Sequence, residues 1–222
     1  MLDIELWVQT LTEKLRAAFQ NRLLFVGLQG SYARGEAHAG SDIDIVVLVD
    51  SLSLDDLKRY KAVLDEMPHR ELACGFVSDR QTLLNWPKHE LFQFIHDTKP
   101  VYGTMENCLP SIDREDVATS VKISASGIYH ACCHSFLHGE DDTEALKGLY
   151  KGAFFLLQAT HYLHSGSYVR TKRELLSLLE GTEQEILSIS MNWEAHQEEI
   201  AQHPDGYFEK LITWTSRVIK SP

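Results

Sequence analysis

The stretch Gly30-Ser31-Tyr32-Ala33-Arg34-Gly35, followed by Ser41-Asp42-Ile43-Asp44, decides how the rest of this chain is read. It places a glycine bend, a hydroxyl, an arginine and two carboxylates within fifteen positions. Arg22 to Gln29 (RLLFVGLQ), just before it, reads as a strand that ends in a glycine turn. Ser41 to Val49 (SDIDIVVLV) reads as a second strand, apolar enough to be central in a sheet. Asp42 and Asp44 are two positions apart on that strand. Alternation therefore sends both carboxylates to one face, while Ile43, Ile45 and Val47 enter a core on the other. Like charges side by side on a sheet repel, and a bound cation removes that penalty.

Working outward, residues 4 to 20 carry Ile4, Trp7, Val8, Leu11, Leu15, Ala18 and Phe19 at helical spacing. Ser53 with Asp56 three residues on marks a helix start. Arg70 to Val77 (RELACGFV) is expected as a third strand, and Pro100 to Tyr102 as a short edge strand. Two short helices, Asp79 to Trp86 and Lys88 to His96, are expected between them, broken at Pro87. Beyond Pro110 the pattern turns almost wholly helical: Asp113 to His138, Asp142 to His164, Thr171 to Leu179, Thr182 to His196 and Pro204 to Ile219. The apolar positions of 142–164 cover more than one stripe, which suits a central helix of a bundle. The expected fold class is α+β, with a small mixed β-sheet domain over residues 1–109 followed by an α-helical bundle over 110–222.

Composition narrows the partners. The chain has 222 residues and a formal net charge of −11, which argues against a long nucleic acid and suits a cationic small molecule or a protein better. No run approaches the length of a membrane helix, and the acidic start (Met1-Leu2-Asp3-Ile4-Glu5) lacks the basic region of a secretory leader, so the cytoplasm is the expected setting. The four cysteines show neither zinc spacing nor a disulfide framework.

The bend and the acids supply the parts that hold a nucleoside triphosphate and magnesium. Glycine lets phosphate oxygens approach backbone N–H groups, Ser31 adds a hydroxyl, and Arg34 offers a cation for the β and γ phosphates. Magnesium takes carboxylate and phosphate oxygens. In this order and spacing, Gly30-Ser31-x-Ala33-Arg34-Gly35 and Ser41-Asp42-x-Asp44 resemble the signature of the DNA polymerase beta-type nucleotidyltransferase superfamily. The resemblance is closest to its small bacterial branch, the kanamycin nucleotidyltransferase-like and minimal nucleotidyltransferases. It is sharp over residues 22 to 50 and loose to about 105. It implies that Gly30, Ser31, Arg34 and Ser41 bind the nucleotide, that Asp42 and Asp44 bind magnesium, two ions being expected, and that ATP or another NTP is co-substrate. It further implies an acceptor held between the sheet domain and the bundle, and it admits a homodimer.

That family usually has a third carboxylate on a neighbouring strand. The middle of 70–79 has no acid. Glu71, at its start, is the best candidate for the base, and Asp79 suits the cap of the next helix better. His130, His134 and His138 share a helix face but lack a matching acid or cysteine, so a polar seam is the plainer reading than zinc. The acidic turn Glu140, Asp141, Asp142 and Glu144 reads as helix capping or as a rim for an amine-rich acceptor. The leading expectation is an enzyme that moves AMP from ATP onto a hydroxyl of a small, aminoglycoside-like acceptor. The alternatives are a protein-modifying nucleotidyltransferase of antitoxin type and a catalytically weak nucleotide-binding module.

Overall fold

The computed structural model describes residues 2–139 and 142–221. The chain divides into two compact units, residues 1–111 and 112–222. The class is α+β: a small mixed sheet with its helices, then a run of helices.

In the first unit, α1 (Ile4–Phe19) precedes β1 (Leu23–Gln29), the short α2 (Gly30–Arg34), β2 (Ile43–Val49), α3 (Leu54–Asp65), β3 (Ala73–Asp79), α4 (Arg80–Leu84), α5 (Lys88–Asp97) and β4 (Lys99–Gly103). The strand order is β3-β2-β1-β4. β1 runs antiparallel to β2 and β4, and β2 runs parallel to β3 across the α3 crossover. The apolar stripe of α1 does what its spacing implies: Trp7, Leu11, Leu15 and Phe19 pack with Val26, Leu28, Ile43, Ile45 and Val47 in one core. The Trp7 indole donates to the Pro68 carbonyl at 2.6 Å. The inward alternation of β2 therefore commits Ile43, Ile45 and Val47 to the α1 face and leaves Asp44 on the other.

Ser53 and Asp56 form the expected capping box on α3. Asp56 is buried and also receives Arg22 on both oxygens, at 2.8 and 2.9 Å. The hydrogen bonds from Arg22 above all, then that from Ser53, hold its carboxyl well below the usual carboxylate range. A depressed folded-state value means that this stabilisation is complete above about pH 4, the ordinary aspartate range, and is lost as pH falls through the folded value. Asp56→Asn is thus expected to lower Tm at neutral pH, with the gap to wild type closing in strong acid. Calorimetry across pH 2.5–7 (roughly the range over which an aspartate titrates) checks it, and a gap independent of pH would rule this assignment out.

The second unit contains α6 (Arg114–His138), α7 (Asp142–Ser165), α8 (Lys172–Leu178), α9 (Gly181–Met191), α10 (Trp193–Gln202) and α11 (Asp205–Lys220). α7 is the central helix, with Leu146, Tyr150, Phe154 and Leu157 fully buried. Two of its buried polar groups are satisfied, as Tyr150 donates to the Tyr207 carbonyl at 3.1 Å and Gln158 to the Val169 carbonyl at 2.8 Å, while the Thr160 hydroxyl has no protein partner among the described residues. The helix expected from Thr182 to His196 is broken at Asn192, whose side chain turns back onto the Ser188 carbonyl at 3.0 Å. The rings of His130, His134 and His138 lie next to one another in tilted contacts along the exposed side of α6. Of the acidic turn, Glu140 and Asp141 lie outside the described residues, and Asp142 and Glu144 sit in the first turn of α7. Among the described residues, no helix is long and apolar enough to cross a membrane.

Candidate active site

The bend and the Asp44 carboxylate converge. β1 and β2 are paired with Gln29 opposite Asp44, so the residue that follows β1 is delivered to the start of β2. Gly30 there has φ +68°, a left-handed conformation natural to glycine. A Cβ at this position would stand 2.1 Å from Asp44 Oδ2, so the missing side chain is what lets the backbone lie against the carboxylate. The end of β1 is also tied to α5, because the Gln29 amide donates to Thr98 Oγ1 at 2.6 Å and to the Phe94 carbonyl at 3.1 Å.

From Gly30 the chain makes the single turn of α2, with Ser31 half-buried in it. Gly35 closes it at φ +71°, and Glu36 N–H returns to the Ser31 carbonyl at 2.8 Å. The loop back to β2 is pinned by Ser41. Its hydroxyl accepts the His38 N–H at 2.9 Å, and its own N–H donates to the His38 carbonyl at 3.0 Å. Ser41 is buried by this arrangement, and Asp42 next to it is exposed.

Arg34, expected at the phosphates, is engaged by carboxylates instead. Its Nη1 donates to both oxygens of Asp97, at 2.9 and 2.8 Å, and its Nε to Glu36 at 3.1 Å. Asp97, at the end of α5, also accepts the Gly30 N–H at 3.1 Å. Nothing in the local pattern of 88–97 marks this aspartate, whose partners lie more than sixty positions earlier.

Glu71 lies outside β3. The strand expected from Arg70 begins at Ala73, because a left-handed His69 (φ +56°) leads into a 3₁₀ turn over Arg70–Leu72. The Glu71 side chain is 72% exposed there, with His69 Nδ1 3.6 Å away. The residue that the parallel register does bring beside Asp44 is Cys74. Asp79 caps α4, accepting the Thr82 N–H at 2.8 Å.

Asp42 and Asp44 offer only carboxylate oxygens, the donors magnesium takes. In such sites it draws its remaining ligands from water and substrate phosphates, so the pair fits that ion. Among the described residues, no group of three or more His, Cys, Asp or Glu side chains is arranged to hold a metal by itself.

Cys74 provides a local probe. It is exposed, whereas Cys108 and Cys132 are buried, and burial above all pushes the Cys132 thiol up to about 12. Iodoacetamide is expected to label Cys74 first, and saturating MgATP to slow that labelling severalfold, as read by peptide mass spectrometry. Labelling indifferent to nucleotide would detach this strand from the site.

Residues 8–78 match the family model described as the nucleotidyltransferase domain. Among solved structures, the chain is similar to the spectinomycin adenyltransferase of Enterococcus faecialis, solved with ATP and spectinomycin. The match has 13% identity and a TM-score of 0.59, and covers 96% of this chain and 98% of that one. A toxin–antitoxin structure with AMP-PNP aligns over 58% of this chain and 93% of that one, at 21% identity, with a TM-score of 0.31 that is too low to carry weight. No curated protein matches the chain by sequence.

Proposed function

We propose that this chain transfers AMP from ATP to a hydroxyl of a small, amine-bearing acceptor of the aminoglycoside kind and releases pyrophosphate. The observation that carries this reading is the contact of Gly30 with the Asp44 carboxylate, which supports a shared role for the bend and that acid. The fold shared with an adenyltransferase solved with ATP and spectinomycin supports it, as does the net charge of −11.

In this scheme the Gly30–Ser31 bend holds the triphosphate through backbone N–H groups and the Ser31 hydroxyl. Asp42 and Asp44 hold the divalent ions. When bound, magnesium would neutralise the charge that develops on the phosphoryl oxygens and on the departing pyrophosphate. The acceptor oxygen forms its bond to the α-phosphorus as the bond to the bridging α–β oxygen breaks and pyrophosphate leaves, and the hydroxyl proton passes to solvent water. Positioning and charge compensation carry such a reaction, so the alignment set by the bend matters more than any covalent group. Arg34 braces the bend.

The test is incubation with magnesium and each labelled NTP, against aminoglycosides, lincosamides and cell lysate, following pyrophosphate and label. Label from ATP on an aminoglycoside is the expected result. Label on protein would replace the acceptor class with a polypeptide, and nucleotide binding without pyrophosphate would mark a non-catalytic module.

A further inference from the structure

The bend is gripped from two sides. The Asp44 carboxylate lies against Gly30 where a Cβ would be, and the Asp97 carboxylate takes the Gly30 N–H at 3.1 Å. The same Asp97 receives Arg34 on both oxygens, and the two side chains are nearly dry, 10% and 8% exposed. Asp97 is also the last residue of α5, where the partial negative charge of the helix end disfavours a carboxylate. Its position is thus unfavourable for α5 alone and is offset by two partners that both belong to the bend.

Arg34 is a strut in this arrangement. Asp97 and Glu36 together compensate its charge, so what it contributes is rigidity: Nη1 bonded to both Asp97 oxygens and Nε bonded to Glu36 hold the guanidinium from two sides. With Gly30 at one end of α2 and Arg34 at the other, Asp97 ties both ends of the segment that carries the Ser31 hydroxyl.

We propose that Asp97 is a positioning residue for nucleotide binding, holding Gly30 and Arg34 so that the bend meets the triphosphate beside Asp44. This rests on the nucleotide-binding reading given above. A reacting group displaced by about 1 Å can cost roughly 10²-fold in rate, so a brace of this kind has a functional consequence larger than its contribution to folding.

The matched comparison is Asp56. It is buried, is paired with an arginine through both oxygens, and belongs to the same unit, but sits beyond the far end of β2 from the bend. Full-length wild type, Asp97→Ala, Asp97→Asn and Asp56→Asn are titrated with a fluorescent ATP analogue in magnesium, with hydrogen exchange of the peptide spanning 30–35 followed in parallel. Asp97→Ala is expected to weaken binding at least tenfold. Asp97→Asn should lie between, because its amide oxygen still accepts the Gly30 N–H but loses the charged pair. Both should speed exchange at the bend. Asp56→Asn should lower Tm, keep affinity within twofold, and leave exchange at 30–35 unchanged. If Asp97→Ala does not fold, Asp97→Asn and Arg34→Lys carry the comparison. Affinity within twofold of wild type in the Asp97 variants, or an equal loss in Asp56→Asn, would overturn the proposal. A wild-type protein that binds no nucleotide, even with exchange at the bend responding as described, would instead overturn the nucleotide-binding reading and this inference with it.

Discussion

Asp44→Asn is expected to lower nucleotidyl transfer by roughly 10²–10³-fold, the loss typical when one preorganised electrostatic group is removed from where charge develops. The amide is nearly the same shape, so the close approach of Gly30 survives and only the charge is lost. Stability should respond with the opposite sign. Asp42, just before β2, and Asp44, within it, are like charges two positions apart, and neutralising one lowers the local concentration of negative charge in metal-free buffer. Tm without magnesium is therefore expected to equal or exceed that of wild type, and the Tm gain on adding MgATP to shrink. Asp42→Asn should behave in the same direction. Initial rates of pyrophosphate release, with thermal melts with and without MgATP, check both parts. Undiminished transfer in either variant would remove the acids from the chemistry.

Gly30→Ala should be nearly as damaging, for a steric reason that Gly35→Ala isolates. Both glycines have positive φ, +68° and +71°, so alanine at either costs about 1–2 kcal/mol of backbone strain. They differ in what the new methyl meets. At Gly30 it lands 2.1 Å from Asp44 Oδ2 and 3.0 Å from its Cγ, while at Gly35 nothing lies within 4 Å. The carboxylate or the bend has to move in the first case only. Similar losses of Tm are expected, with transfer reduced at least a hundredfold in Gly30→Ala (about the cost of a misplacement near 1 Å) and only a few-fold in Gly35→Ala. Equal activities in the two would mean that the contact with Asp44 does not govern function.

These expectations use features that differ in how far they could be read ahead. The α1 stripe, the Ser53–Asp56 box and the alternation of 43–49 all depend on residues one to four positions apart, and such spacing is written in the chain itself, although the strand expected from Ser41 begins at Ile43. Glu71 shows where that legibility ends. It reads as the start of a strand, but a left-handed His69 and the 3₁₀ turn place it on the surface before β3 begins. Cys74 shows the same limit from the other side. Only the parallel register of β2 with β3 makes it the neighbour of Asp44, and no local pattern announces a register.

The chain's own order of residues determined the fold class, the bend, and the face on which Asp44 stands, because helix and strand periods act over a few positions. The tertiary structure alone decided that Gly30 touches Asp44, that Arg34 is engaged with Asp97 and Glu36, and that a thiol stands beside Asp44. Asp97 is sixty-three residues from Arg34, and a pairing at that distance exists only once β1, α5 and β4 have packed and brought the two ends of the segment together.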